Sequence, residues 1–134
     1  MTTDVITVTM DNTLDQIKKL FSENNCHHVL VLDDTSLVGI ISDRDVLAHI
    51  SPQVDTAAAD ARAMNTLQKR AHQIMTRQVI TVGPEETVEE AAAVFLKNNI
   101  SSLPVMGQSN TLVGIVTKTD VLRCLIGTTV ASAL

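Results

Sequence analysis

A chain of 134 residues is the size of one domain, long enough to bury roughly two thirds of its unfolded surface, and a second large domain is excluded. It is 45% hydrophobic and 19% charged, with two Phe and no Trp or Tyr, which predicts a globular chain with an aliphatic core. Ten Lys and Arg against fifteen Asp and Glu leave a charge of -5, the wrong sign for a phosphate-backbone binder, so nucleic acid is not expected as a partner; a small nucleotide held between aliphatic side chains is still compatible.

Val5 to Val8 is a short β-branched run followed by a turn at Asp11-Asn12, which predicts an opening strand. Thr13 and Gln16 then fit a capping box, and Leu14, Ile17, Leu20 and Phe21 recur at helical spacing until the pair Asn24-Asn25. Val29 to Leu32 and Leu37 to Ile41, separated by a polar turn, predict a hairpin. Asp43 to Ile50, with Val46, Leu47 and Ile50 on one face, predicts a second helix. From Ser51 to Ile74 the chain is rich in Ala, opens with Pro52, and spaces Met64, Leu67, Ala71 and Ile74 as an amphipathic linker helix.

The same order then returns. Met1 to Ile50 lies over Met75 to Leu125 at an offset of 74, becoming 75 after one inserted residue. Val79 to Val82 repeats the opening strand before Gly83-Pro84, and Thr87 with Glu90 repeats the capping box. Val88, Ala91, Val94 and Phe95 repeat the helix face, Leu103 to Met106 and Leu112 to Val116 the hairpin, and Lys118 to Ile126 the closing helix. The fold class is therefore α+β: two strand-helix-strand-strand-helix repeats (βαββα), 1–50 and 75–126, joined by a helical linker over 51–74, with a loose tail at 127–134. The second copy has a helix ahead of it and Met1-Thr2 opens the first without one, so the first is expected to lack a leading segment or to borrow packing from a partner chain.

No apolar run approaches the eighteen or so residues of a membrane span, and the N-terminus lacks a secretory pattern, so a cytoplasmic chain with no membrane partner is expected. Cys26 and Cys124 lie far apart without a CxxC partner, which argues against a disulfide framework or zinc knuckle. The compact cluster Cys26-His27-His28 is a candidate metal site, but adjacent residues at a strand start point to opposite faces and the second copy has no matching cluster, so no metal is expected. GxSxG, GxxxxGK, GxGxxG and HExxH are all missing, so no enzyme is expected.

The polar residues that recur in both copies are more informative. Ser42-x-x-Asp45 and Thr117-x-x-Asp120 each sit where an apolar, glycine-containing strand runs into a helix N-terminus. A hydroxyl and first-turn amides there suit a phosphate, and an Asp suits a ribose diol. The same residues also fit capping boxes, although Asp is shorter than the Gln16 and Glu90 of the other helices, and the two roles can coexist.

Gly39-Ile40-Ile41-Ser42-Asp43-Arg44-Asp45 and Gly114-Ile115-Val116-Thr117-Lys118-Thr119-Asp120 resemble the signature of cystathionine-β-synthase (CBS) domains, as do Ile74-Met75-Thr76 and Asn99-Ile100-Ser101-Ser102-Leu103-Pro104-Val105. All of them, in order and twice, look like a tandem CBS pair, or Bateman module. The resemblance implies two repeats packed with pseudo-two-fold symmetry and a regulatory module, without catalysis or a required cofactor, that takes AMP, ADP, ATP or S-adenosylmethionine in clefts between its repeats. It implies that Asp45 and Asp120 hold ribose hydroxyls, Ser42 and Thr117 meet phosphate, Ile6 and Ile80 flank the base, and Ser102 and His28 line the same sites. Arg44 and Lys118 are placed to neutralise phosphate or to remain in solvent. The second copy, with Ser101-Ser102 and Leu103-Pro104-Val105 where the first has His27-His28 and Val29-Leu30-Val31, is the better match. A homodimer and a separate target protein are the expected macromolecular partners; the rival reading is a ligand-free dimerisation module.

Overall fold

The structure is a computed structural model that describes residues 5–49 and 67–133, with side chains described as far as residue 126. The chain divides into two compact units, one spanning Ile6–Val79 and the other combining Val5 with the stretch from Ile80.

In the first unit β1 (Thr7–Thr9) pairs in parallel with β2 (His28–Asp33), which pairs antiparallel with β3 (Ser36–Ser42). The parallel pair requires a crossover, supplied by α1 (Leu14–Asn24). Its start is closed as the sequence predicts: the Thr13 hydroxyl accepts from the Gln16 amide at 3.3 Å, and the Gln16 side chain accepts from the Thr13 amide at 3.0 Å. Its end is closed by Asn25, which takes a left-handed conformation (φ 49°) that Asn tolerates better than most residues. Leu14 and Ile17 are fully buried against Val8, Val29, Val31 and Ile41, so one helix face and one sheet face form an aliphatic core. α2 (Asp43–His49) follows β3 without a loop and contributes Val46 to the same core.

The expected continuous linker helix is corrected. Met64 lies with residues 50–66 outside the described residues, and Leu67 does not share a helix with Ala71 and Ile74. Arg70 is extended (φ -98°, ψ 158°) because its backbone bridges Thr13, and only the short α3 (Ala71–Ile74) follows. Lys69 to Met75 is a clamp on the first unit: the Leu14 amide donates to the Lys69 carbonyl at 2.7 Å, and the Ala71 and His72 amides donate to the Asn12 and Met10 carbonyls at 2.8 and 3.2 Å. Ala71, Ile74 and Met75 complete the core.

The second unit holds α4 (Val88–Asn98), β4 (Ser102–Met106), a short 3-10 turn at Gln108–Asn110, β5 (Leu112–Thr117) and α5 (Lys118–Ala133). β4 and β5 form an antiparallel pair, and Val82, Ala91, Phe95, Leu103, Val105 and Val121 form the core. The opening strand expected at Val79–Val82 is reduced to a single parallel bridge between Val82 and Val105. Proline is the reason. In the first unit the Leu30 amide donates to the Ile6 carbonyl at 3.1 Å, but the residue equivalent to Leu30 is Pro104, which has no amide hydrogen to give Ile80. Val82 is held by its own amide on the Pro104 carbonyl and by the Met106 amide on its carbonyl, at 3.0 and 2.9 Å.

Two further boundaries differ. Thr87 caps α4 by accepting from the Glu90 amide at 3.2 Å, yet the expected reach-back by Glu90 is absent; Glu86 instead accepts from the Gly83 amide and steadies the preceding turn. α5 runs through Gly127 to Ala133 where a loose tail was expected, since one internal Gly costs only about 1 kcal/mol against Ala and no Pro follows.

Two outcomes follow from the first unit. A Cβ on Gly39 would stand 2.8 Å from Met75 Cγ and 3.0 Å from Met75 Cβ, too close for the side chain's root to accommodate. Gly39→Ala should cost about 1–3 kcal/mol, seen as a melting temperature several degrees lower, and should be less costly in a Met75→Ala background. β2 also opens on a half-buried imidazole. Burial pushes the His28 pKa below the usual 6.5, against the opposing pull of Asp43, with lesser contributions from His27, Asp45 and Arg44. The unfolded chain therefore takes up a proton here before the folded one does, so stability is lost as pH falls below 6.5 and the loss levels off once the folded imidazole protonates. His28→Gln should flatten that part of the stability profile in denaturant titrations; an unchanged profile would show that His28 carries none of it.

Candidate functional site

Both units end their hairpin in the same junction. The last strand residue, Ser42 or Thr117, is also the residue from which the following helix starts, so its hydroxyl and the helix's first amides meet at one point. In the first unit the Asp45 amide donates to Ser42 Oγ at 3.1 Å and the Ser42 amide donates to Asp45 Oδ2 at 2.8 Å. In the second the Asp120 amide donates to Thr117 Oγ1 at 3.1 Å and the Thr117 amide donates to Asp120 Oδ2 at 2.9 Å. The capping reading therefore holds in both copies, and the shorter reach of Asp is sufficient. Each carboxylate spends Oδ2 on the backbone, while Oδ1 makes no hydrogen bond among the described residues.

Strand register brings the next site residue alongside. Ser102 is the direct antiparallel partner of Thr117, and His28 is the direct partner of Ser42. One further bond fixes each junction: the Lys118 amide donates to the Ser101 carbonyl at 3.1 Å, and the Asp43 amide to the His27 carbonyl at 2.9 Å. Ser102, Thr117 and Asp120 thus stand together, as do His28, Ser42 and Asp45. Ser102 is buried, and its hydroxyl enters no hydrogen bond that the structure shows.

Ile80 and Ile6 are half-buried ahead of the sheet. Because Pro104 lacks an amide hydrogen, the Ile80 carbonyl accepts no bond among the described residues, whereas the Ile6 carbonyl is occupied by Leu30. In the sequence Pro104 stands both in a motif that carries the resemblance and as a difference between the copies; a proline inside a strand is the signal that a backbone group nearby is released. Arg44 and Lys118 are exposed and form no ion pair among the described residues.

The Cys26-His27-His28 cluster does not converge. His27 is exposed and its Nδ1 lies 2.8 Å from Asp43 Oδ2, His28 is drawn into β2, and burial pushes the Cys26 thiol above its usual pKa. Among the described residues no group of three or more His, Cys, Asp or Glu is placed to hold a metal ion.

The CBS domain family matches residues 1–52 and 71–127. A CBS domain-containing protein of Dictyostelium discoideum is 35% identical over 128 residues, covering 94% of this chain and 88% of that protein. The chain also spans 37% of a longer uncharacterised protein of Methanocaldococcus jannaschii, at 31% identity. Among solved structures, CBSX2 in complex with AMP, a protein of Arabidopsis thaliana, superposes with a TM-score of 0.76 at 27% identity over 94% of this chain and 90% of that one. The CBS domain pair of protein MJ0100, in complex with 5'-methylthioadenosine and S-adenosyl-L-methionine, superposes with a TM-score of 0.73 at 31% identity over 92% and 90%. With the motif duplicated in the sequence and the same capped junction built twice in the structure, the chain belongs to the CBS domain family as a tandem pair.

Proposed function

We propose that this chain is a non-catalytic regulatory module that binds an adenosine nucleotide, or a related adenosine compound such as S-adenosylmethionine, at the capped junctions, and first of all at that of the second repeat. The observation that carries the reading is the Asp120 carboxylate, fixed by one oxygen to the Thr117 amide and left with the other open, beside Ser102 on the neighbouring strand. A ribose diol donates two hydrogen bonds, and a carboxylate already held rigid accepts them without further side-chain ordering. The Ile80 carbonyl suits an exocyclic amine of a base, and the Thr117 hydroxyl a phosphate oxygen. The family relatives solved with AMP and with adenosine-type sulfur compounds support the same ligand class. Regulation follows if ligand favours one arrangement of the repeats or of two protomers over another, with a separate protein as the target. A soluble, cytoplasmic setting belongs to the same reading.

The first repeat should be the weaker site. Its Ile6 carbonyl is already occupied, and a half-buried imidazole replaces Ser102. Thermal-shift measurements with AMP, ADP, ATP and S-adenosylmethionine, followed by calorimetry, test the reading. A ligand at about a hundred times its Kd should stabilise the fold by about 2.7 kcal/mol. Asp120→Ala should lose at least about tenfold in affinity, equivalent to about 1.4 kcal/mol, measured against its own ligand-free baseline because the cap is lost too. Asp45→Ala should lose less. A flat panel at millimolar ligand would sink the proposal.

One observation favours self-association as a second reading. Leu47 in α2 and Leu122 in α5 are equivalent positions, and both are exposed, at 69% and 57%. Large apolar residues exposed at the same place in both repeats suit a homodimer face. Light scattering should report a dimer that Leu47→Asp with Leu122→Asp converts to monomer; a wild-type monomer at high concentration would refute it.

A further inference from the structure

The two hairpins are built alike with and without a proline. Pro104 stands opposite Ile115 as Leu30 stands opposite Ile40, and both strands break register at the same next step, between Val105 and Met106 and between Val31 and Leu32. Both residues are fully buried. The hairpin therefore makes no demand for proline at this place. What differs lies on the other side of the strand. In the first unit the Leu30 amide donates to the Ile6 carbonyl at 3.1 Å, and β1 continues in register as Thr7–Leu30, Val8–Val31 and Thr9–Leu32. In the second the parallel pairing is confined to Val82–Val105.

One group is changed by that loss. The Ile80 carbonyl is half-withdrawn from solvent with its residue and has no donor among the described residues. A main-chain acceptor in that position is unsatisfied until a donor meets it. Its place in the ladder is also informative. Pro104 lies two residues along β4 from Ser102, about 7 Å at the rise of a strand, and Ser102 pairs with Thr117, whose amide is held by Asp120. That separation is of the order spanned by a nucleoside between its ribose diol and the far edge of its base.

We propose that Pro104 is the positioning residue for base selection at the second repeat. By withholding a main-chain donor it reserves the Ile80 carbonyl for the exocyclic amine of a 6-aminopurine. A 6-oxopurine presents an acceptor at the same ring position, so two acceptors would face each other with neither satisfied, the arrangement that discriminates most strongly between analogues. In the first repeat the Leu30 amide fills the equivalent carbonyl, and this selection is lost. The inference rests on the nucleotide reading and adds which base is chosen and which residue chooses it.

The test titrates the full chain with AMP, with IMP, which carries an oxygen in place of the amine, and with purine riboside 5'-monophosphate, which carries only hydrogen there. Amide chemical shifts of Thr117 and Asp120 report the second repeat. AMP should bind there at least about tenfold more tightly than either analogue. Pro104→Ala restores an amide without adding bulk, and the first repeat already carries one in the same hairpin, so the fold should be retained. In that variant AMP should bind about tenfold more weakly, and its preference over both analogues should shrink to within about threefold. Without any ligand, the amide hydrogen introduced at position 104 should exchange as slowly as that of Leu30, because it is held by Ile80. Val105→Ala thins the adjoining core and adds no donor, so it should lower the melting temperature and keep the preference. Equal binding of the three nucleotides by the wild type, an unchanged preference in Pro104→Ala, an equal loss in Val105→Ala, or free exchange at position 104 would overturn the inference and leave the nucleotide reading standing. A wild type that shows no saturable shift with any of the three would overturn both.

Discussion

A strand that runs without a loop into a helix leaves amides at the turn with no intrahelical partner, and this chain solves that problem twice with the same two side chains. The hydroxyl of Ser42 or Thr117 takes the amide of the Asp, and the Asp takes the amide of the hydroxyl residue. Because both turn amides are satisfied locally, the hairpin and its helix keep a fixed angle, and the carboxylate is held rigid. The aliphatic core depends on that angle, since Val46 and Val121 enter it from the first turns of these helices.

Duplication then lets one framework carry two different loads. The junctions are superposable in their hydrogen bonds, yet the residues across the strand from them are an imidazole in one copy and a small hydroxyl in the other. Pro104 adds a second asymmetry through the backbone, by withdrawing the donor that would have occupied Ile80. Neither change disturbs the core, because Leu103 and Val105 on either side of Pro104 remain packed beneath α4. The copies thus differ at positions where the cost to folding is small.

Much of this was legible in the sequence because each element carries its own local signal. The helices of residues 14–24 and 88–98 are announced by Thr caps and ended by Asn in the left-handed region, and the structure keeps both within a residue of expectation. Hairpin strands were placed equally well because β-branched runs flank polar turns. The misplacements share a cause: they depend on partners distant in sequence. Lys69 and Arg70 look helical by composition, but their backbone is claimed by Thr13 and Leu14, and the opening strand of the second copy looks like that of the first until its partner proves to be a proline. The junction residues were readable from the internal repeat and the family from a resemblance of its motifs, whereas the open Ile80 carbonyl required three-dimensional neighbours.

Pro104 also sets how the second unit breathes. The segment that enters it from Val79 is tied to the sheet by two hydrogen bonds at Val82 alone, and it begins at the boundary between the two compact units. Segments with so few backbone bonds lie at the low end of the range of local opening free energies, well below the cost of unfolding a core. Among the described residues, the stretch from Arg77 to Thr81 is therefore one where amide hydrogens are expected to exchange early and where the exposed Arg77 offers a trypsin-like protease a cut between the repeats.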